Sequence, residues 1–152
     1  MKNTMEYDED ISPLFDRLMA LPLLKSFKEK LVDGINDDLI NYCVNGGDTD
    51  EFTRFIELYG QYITDKEQLS YATFLAVVND NVNILRVMFG KYDLTQEEKE
   101  DHFRTVIHHN SKKCFAYLHG EQGITGGEHC DFYHGYCKHF LKMKREYEEE
   151  NS

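Results

Sequence analysis

The amino-acid sequence predicts an all-α fold, in the form of a short solenoid of about three helix-turn-helix repeats between N- and C-terminal capping helices. One reason is that Pro13 and Pro22 are the only prolines, so the chain beyond residue 22 lacks the strongest helix breaker. Another is a motif that occurs three times, consisting of an apolar residue, Thr, two variable positions and Glu. A glycine also recurs every 30 residues after an apolar or aromatic pair. Helix pairs that repeat every roughly 20–50 residues are typical of helical solenoids.

The N-terminal end is predicted to form a cap over residues 12–34. The Ser-Pro pair at 12–13 has the residue types preferred at a helix start, and Pro22 divides the apolar positions that follow into two short amphipathic segments. Residues 1–11 are acidic and polar, which predicts a disordered N-terminus. A chain of 152 residues is long enough for one ordinary core, so we expect a single domain over residues 12–144.

Each repeat is predicted to contain a helix, a tight turn and a second helix. Thr64, Thr95 and Thr125 would cap the first helices, because a Thr hydroxyl accepts from a free N–H while the Glu three residues later bonds back to the cap. Three polar stretches would form the turns, at 45–52, 79–85 and 108–115. Three glycines would close the second helices in the left-handed conformation, namely Gly60, Gly90 and Gly120.

The C-terminal end is predicted to form a second cap over residues 128–144, as one final helix. Its apolar positions recur every three or four residues, at Phe132, Tyr136, Phe140 and Met143. Residues 145–152 are expected to fray, because they are strongly polar and terminal.

The stretch FLAVVNDNVNILRVMFGKYDLT, residues 74–95, contains a small residue, a turn and a bulky apolar pair in the order found in ankyrin repeats. The corresponding small residues are Cys43, Ala76 and Thr105, and the corresponding turn positions are Gly47, Asp80 and His109. Over residues 36–125 the chain therefore resembles a degenerate ankyrin-repeat protein. The resemblance implies stacked helix pairs whose concave surface binds a protein. A generic stack of αα-hairpins is the structural alternative.

The formal net charge of −11 is concentrated in the first 101 residues, which carry 10 Lys or Arg and 21 Asp or Glu. Such a surface repels nucleic-acid backbones and attracts basic protein surfaces, although it also serves simply to keep a protein soluble. We therefore expect a host or cellular protein as the partner, with a basic surface, and no direct nucleic-acid binding.

The cellular location is expected to be cytoplasmic. No apolar run in the sequence reaches the roughly 18–20 residues of a membrane span, and the acidic start is unlike a secretory signal. Four cysteines in such a chain are interpreted as reduced thiols. For a viral protein or an effector, the location would be the host cytosol or nucleus.

The densest group of candidate metal ligands is Cys130, His134 and Cys137, which lie on one face of the predicted final helix. Structural zinc sites usually take ligands from two segments, so a further ligand such as Cys114 would be needed. The alternative is that the two cysteines are small core residues, and we expect no cofactor. The pair His108-His109 could act as a pH switch near 6, or could simply be exposed in a turn.

The sequence contains no P-loop, dinucleotide-binding or serine-nucleophile motif, so we expect a non-enzymatic protein–protein interaction module. Divergent ankyrin-like repeats on short chains rich in Asn, Tyr and Asp are typical of large DNA viruses and of effectors from intracellular pathogens. The resemblance thus implies a protein that binds and inhibits a host protein. One alternative is an acidic DNA mimic that inhibits a nucleic-acid-binding or defence protein, and a second is a zinc-binding helical protein.

The predicted partner-binding residues lie in the turns, on the exposed ridge of the first helices and in the loops after two of the glycines. They are Asp48, Asp50, Glu51, Tyr62, Asn79, Asn81, Asn83, Tyr92, His108, His109, Lys112 and Lys113. Tyr62 and Tyr92 are the predicted aromatic anchors, because large rings contribute most to binding energy at interfaces. The alternative for both is a loop residue packed on its neighbour.

Overall fold

A computed structural model describes residues 11–22, 25–125 and 134–151, in which the regular secondary structure is helical and no strand occurs. The helices are α1 (Ile11–Ala20), α2 (Lys25–Asn45), α3 (Thr49–Tyr59), α4 (Lys66–Val78), α5 (Val82–Lys91), α6 (Gln96–His109), α7 (Lys112–Phe115) and α8 (His134–Glu150). A 3₁₀ turn, Gly60–Tyr62, follows α3, and a π-helical segment, Ala116–Glu121, continues α7. The all-α prediction is therefore confirmed for the described residues. Residues 145–150, predicted to fray, belong to α8.

The helices form two layers around one core. In one layer α2 packs on α4, α4 on α6, and α6 on α8, while in the other α3 packs on α5 and α5 on α7. The buried side chains form a single cluster that runs from Phe15 to Met143, with Phe52, Leu85 and Phe103 fully enclosed. The aromatic residues that the composition offers thus fill the space between the layers.

The helix starts agree only partly with the three predicted Thr caps. Thr95 caps α6 as expected, since its hydroxyl accepts from the Glu98 N–H at 3.1 Å and also contacts the Glu98 carboxylate. At α4 the prediction is wrong by one residue, because the Asp65 carboxylate takes the capping role and accepts from the N–H groups of Glu67 and Gln68. Asp and Thr are both good N-cap residues, so their order at this helix start could not be ranked from sequence. The motif after Thr125 runs into residues outside the described part of the chain.

The prediction that Gly60, Gly90 and Gly120 adopt the left-handed conformation is wrong. Among the described residues, positive φ angles occur instead at Gly46 (71°), Gly47 (143°), Asp80 (54°), Asn110 (55°) and Gly123 (70°). Close packing explains two of the three periodic glycines: a Cβ on Gly60 would approach the Tyr92 hydroxyl to 3.2 Å, and one on Gly120 would clash with the Tyr147 ring. Gly90 has open space around it and lies within α5.

Candidate protein-binding surface

The turns at 46–48, 79–81 and 110–111 form one edge of the molecule, which we call the turn edge. Two of these turns have equivalent backbone hydrogen bonds. The Asn81 N–H donates to the Ala76 carbonyl, and the Ser111 N–H, 30 residues later, donates to the Val106 carbonyl. The left-handed Asp80 and Asn110 precede these two donors. This geometry is the Schellman arrangement that ends many helices.

Side chains of the turn edge bond across to the backbone of an earlier helix. The Asn81 amide donates to the Cys43 carbonyl at 2.6 Å and to the Val44 carbonyl at 3.3 Å, and the Ser111 hydroxyl donates to the Val77 carbonyl at 2.6 Å. Cys43 and Val77 hold the same position, three residues before the left-handed residue of their turn. Asn81, one of the predicted partner-binding residues, therefore has a structural role, because it joins the start of α5 to α2.

Asp80, the residue before Asn81, joins the turn between α4 and α5 to the start of α7. Its carboxylate accepts from the N–H groups of Cys114, at 2.9 Å, and Lys113, at 3.2 Å. These N–H groups lie in the first turn of α7 and have no partner within their own helix. The Asp80 carboxylate therefore caps α7 from the turn between α4 and α5. The Lys113 side chain itself remains exposed.

Several other predicted contact residues have local structural contacts. The Asp48 carboxylate caps α3 by accepting from the Glu51 N–H at 3.0 Å, and the Glu51 carboxylate accepts from the Tyr42 hydroxyl at 3.1 Å. The Asn79 amide donates to the Leu75 carbonyl, and Lys112 approaches Glu146 of α8 at 3.5 Å. The remaining turn-edge candidates are exposed: Asp50, Asn83, His108 and His109. Acidic residues used as caps are less available for the DNA mimicry considered above.

The two predicted anchors lie at the opposite end of the helices. The Tyr62 ring packs edge-on against Phe15 at 5.1 Å and its hydroxyl donates to the Asp16 carboxylate, while the Tyr92 hydroxyl donates to the Gly60 carbonyl at 3.1 Å. Burial raises the pKa of both phenols to about 12, and for Tyr62 the Asp16 carboxylate adds to the effect. The 13 residues of α4 separate this end from the turn edge by about 20 Å, so the predicted residues do not form one compact site.

An open groove lies between α4 and α6, and we call it the aromatic groove. It has a volume of about 430 Å³ and is lined by Glu67, Ser70, Tyr71, Phe74, Asp101, His102 and Thr105. Tyr71 is 52% exposed and Phe74 is 37% exposed, which is unusual for rings of this size. The four residues from α4 have the spacing i, i+3, i+4 and i+7, which places them on one face of that helix.

The aromatic rings of the groove are arranged against one another and against the turn edge. Tyr71 and Phe74 stack with centroids 6.5 Å apart and an angle of 21° between their planes. Phe74 then meets His109 edge-on at 6.1 Å, and His109 meets His108 at 5.1 Å. The predicted residues His108 and His109 thus border the aromatic groove at its turn-edge end.

His102 forms part of the groove wall although it is only 5% exposed. Among the described residues it has no hydrogen-bond partner for its ring nitrogens. Burial lowers the pKa of His102 below its usual 6.5, and the nearby Glu98 carboxylate opposes this effect only in part. The imidazole is therefore neutral at neutral pH and offers one donor and one acceptor nitrogen.

The groove carries two carboxylates, one on each wall. Asp101 forms an ion pair with Arg104 of the same helix, and Glu67 has no ion-pair partner among the residues that the structure describes. The seven lining residues include no Lys or Arg, as far as the described chain extends. The groove thus combines exposed aromatic faces with negative charge.

The sequence-based prediction omits Tyr71 and Phe74, the most exposed rings of this surface. The signal that could have found them is the composition of α4, KEQLSYATFLAVV, which has apolar residues on all sides. Ala72, Ala76 and Val77 take the buried face. The two large rings at other positions were therefore candidates for a second, exposed contact face.

The predicted zinc cluster falls largely outside the described part of the chain. Cys130 lies in the gap at 126–133, and the side chains of α8 are described only from residue 138, which leaves out those of His134 and Cys137. Within the described residues no three His, Cys, Asp or Glu side chains converge on a possible metal position. Cys43 and Cys114 are buried, and burial raises the pKa of both thiols, that of Cys43 to about 12.

Comparison of the chain with protein-family models, with curated proteins and with solved structures finds no match. No helix within residues 11–22, 25–125 and 134–151 combines the length and the apolar composition that crossing a bilayer requires.

Proposed function

We propose that this chain is a non-enzymatic protein–protein interaction module, built as a short ankyrin-like solenoid of three helix pairs. The pairs would be α2 with α3, α4 with α5, and α6 with α7, between caps formed by α1 and α8. Support for this organisation comes from the succession of helix contacts within each layer and from the equivalent bonds of Asn81 and Ser111 to the preceding pair. Solenoids expose extended surfaces that suit the binding of proteins.

The observation that carries the binding proposal is the aromatic groove on the face of the first helices. Tyr71 and Phe74 leave a large share of their apolar surface in water, although the core behind them is fully packed. Aromatic residues in such positions are the side chains that contribute most to protein–protein binding energy. We propose that a partner protein covers them.

The partner in this proposal is a host or cellular protein with a basic surface. The chain carries a formal net charge of −11, and the groove itself holds Glu67 and Asp101. Complementary charge would speed the encounter and orient the two proteins. The ankyrin-like resemblance, in a short chain of this composition, extends the proposal to an effector that inhibits a host protein.

The proposal is tested by quantitative affinity purification from cell lysate with three baits. The baits are the wild-type chain, a double variant Tyr71→Ala/Phe74→Ala, and the control variant Phe27→Ala. Phe27 is 47% exposed on α2 but does not line the groove. Its variant therefore shows the effect of removing an exposed ring away from the groove. Urea unfolding of each bait shows whether it is folded.

We expect at least one protein to be enriched equally on the wild-type and Phe27→Ala baits and to be lost, by tenfold or more, from the double variant. The Phe27→Ala bait should unfold close to the wild type, and the double variant should be somewhat less stable but still folded, because Phe74 is only 37% exposed and packs on Tyr71 and His109. Equal recovery of every enriched protein on the double variant and on the wild type would refute binding through this groove.

A further inference from the structure

We propose that the aromatic groove receives an arginine side chain from an exposed segment of the partner, a proposal that rests on the protein-binding function above. The groove joins aromatic faces, carboxylates and a buried imidazole in one open recess between α4 and α6. The aromatic faces match the flat face and the stem of an arginine side chain, and the carboxylates and the imidazole match its N–H donors.

The aromatic pair suits the flat face of a guanidinium group and the apolar stem that carries it. The Tyr71 and Phe74 planes differ by only 21°, so the ring faces that the two residues expose are nearly parallel. Arginine stacks on such faces through cation–π attraction, and its methylene groups cover apolar surface at the same time. A carboxylate-bearing side chain would gain nothing from these ring faces.

The carboxylates suit the fork of N–H donors on a guanidinium group. Glu67 and Tyr71 are four residues apart on α4, so the carboxylate lies one helical turn from the ring. Asp101 faces the groove from α6, where it is already paired with Arg104. An incoming arginine would therefore take Glu67 as its main charge partner and share Asp101 with Arg104.

His102 adds a polar group to the wall of the groove. Its ring lines the groove and has no hydrogen-bond partner among the described residues. The ring nitrogens are not fully enclosed, so a donor in the groove can reach them. A neutral imidazole nitrogen can accept from one guanidinium N–H while the carboxylates accept from the others.

Arginine fits this recess better than lysine for a geometric reason. The guanidinium group is planar and has five donors in a fixed fork, so it can stack on an exposed face of Tyr71 or Phe74 and still reach acceptors on both walls. An ammonium group has a compact charge and no flat face. The recess is also too open to enclose a free small cation. We therefore expect the cation to be a side chain that a larger partner presents.

The test uses the full chain labelled with ¹⁵N and three synthetic heptapeptides, acetylated and amidated. Their sequence is Ser-Gly-Leu-X-Leu-Gly-Ser, where X is arginine, lysine or citrulline, the uncharged analogue of arginine. Amide shifts in titrations at pH 7.5 give both the dissociation constant and the position of binding. The same titrations are repeated with the Glu67→Gln and Phe27→Ala variants.

We expect the arginine peptide to shift amides of α4 and α6 around the groove and to bind at least tenfold more tightly than the citrulline peptide, with lysine between them. Glu67→Gln should weaken arginine binding about three- to tenfold and Phe27→Ala should leave it unchanged. Equal binding of the arginine and citrulline peptides, no binding of any of them, or shifts confined to other helices would overturn the proposal.

The result separates this inference from the proposed function. If a captured partner depends on Tyr71 and Phe74 but none of the peptides distinguishes arginine from citrulline, the binding function stands and the arginine site is wrong. If the arginine peptide binds as expected but no captured protein depends on the groove, the arginine site stands and the protein-binding function is wrong.

Discussion

The turn edge and the aromatic groove are both accessible to a partner, but their side chains are used differently. At the turn edge, polar side chains bond to the backbone of another helix, as Asn81 does to α2, Ser111 to α4 and Asp80 to α7. In the groove, Tyr71 stacks on Phe74 and Phe74 meets His109, and the two rings remain 52% and 37% exposed. Polar turn residues thus join neighbouring helices, and the exposed rings are the ones that we propose to bind a partner.

The difference between the two surfaces affects which residues are good candidates for partner contacts in a helical protein. Polar residues in turns are candidates by composition, yet a turn that joins two helix pairs needs donors and acceptors for its own backbone. Large exposed rings have no such structural use. A partner-binding surface is therefore better sought among exposed rings on the helices than among polar residues in the turns.

The largest expected effect comes from a change behind both surfaces. Leu85 of α5 is fully buried between the two layers, so Leu85→Ala should lower the free energy of unfolding by about 2–5 kcal/mol. Urea unfolding followed by circular dichroism measures the change. A loss below about 1 kcal/mol would mean that the two layers do not pack as described.

The turn edge is tested by Asn81→Ala, with Asn83→Ala as its matched control. Removal of the Asn81 amide leaves the Cys43 and Val44 carbonyls without this donor, which should cost about 1–3 kcal/mol of unfolding free energy. Asn83 is exposed on the next helix, so its variant should stay within about 0.5 kcal/mol of the wild type. Equal effects of the two variants in urea unfolding would contradict the joining role of Asn81.

Tyr92→Phe sharpens the comparison at the other end of the helices. Loss of the hydroxyl that donates to the Gly60 carbonyl should cost about 0.5–1.5 kcal/mol. Tyr71→Phe is the control, because the Tyr71 hydroxyl has no hydrogen-bond partner among the described residues and its variant should be neutral. A larger effect in the Tyr71 variant would reverse the roles assigned to the two rings.

The smallest effect is a dependence of stability on pH that comes from His102. Its folded-state pKa is below the unfolded value of 6.5, so the unfolded chain binds more protons as the pH falls through 6.5. This residue's contribution to the free energy of unfolding is therefore complete above that pH and falls as the pH decreases toward the folded pKa. His102→Gln should have a shallower decline than the wild type between pH 7.5 and 5.5 in urea unfolding. Parallel curves would show that His102 does not titrate differently in the two states.

The sequence predicts the fold class well because the signals for it are local. The helix cap at Thr95 and the lack of proline after residue 22 depend on near neighbours in the chain. The glycine conformations could not be predicted, because a glycine is used either for a left-handed turn or for close packing, and Gly60 packs against a ring 32 residues later.

The candidate site is harder to predict than the fold, since it depends on which face of each helix its neighbours cover. The apolar residues on every side of α4 leave that face undetermined until α2 and α6 are in place beside it. The partial burial of Tyr71 and the near-complete burial of His102 arise from this packing. Turn residues such as Asn81 and His109 are easily found in sequence, but their contacts are not.

The central claim, that the aromatic groove and not the turn edge meets the partner, is tested most directly by photo-crosslinking. The cross-linking amino acid p-benzoylphenylalanine is placed at position 71 in the groove or at position 83 beside the turn edge, and each protein is irradiated in cell lysate. The account predicts one specific adduct from position 71, and none of that mass from position 83. An adduct from position 83 together with none from position 71 would contradict it.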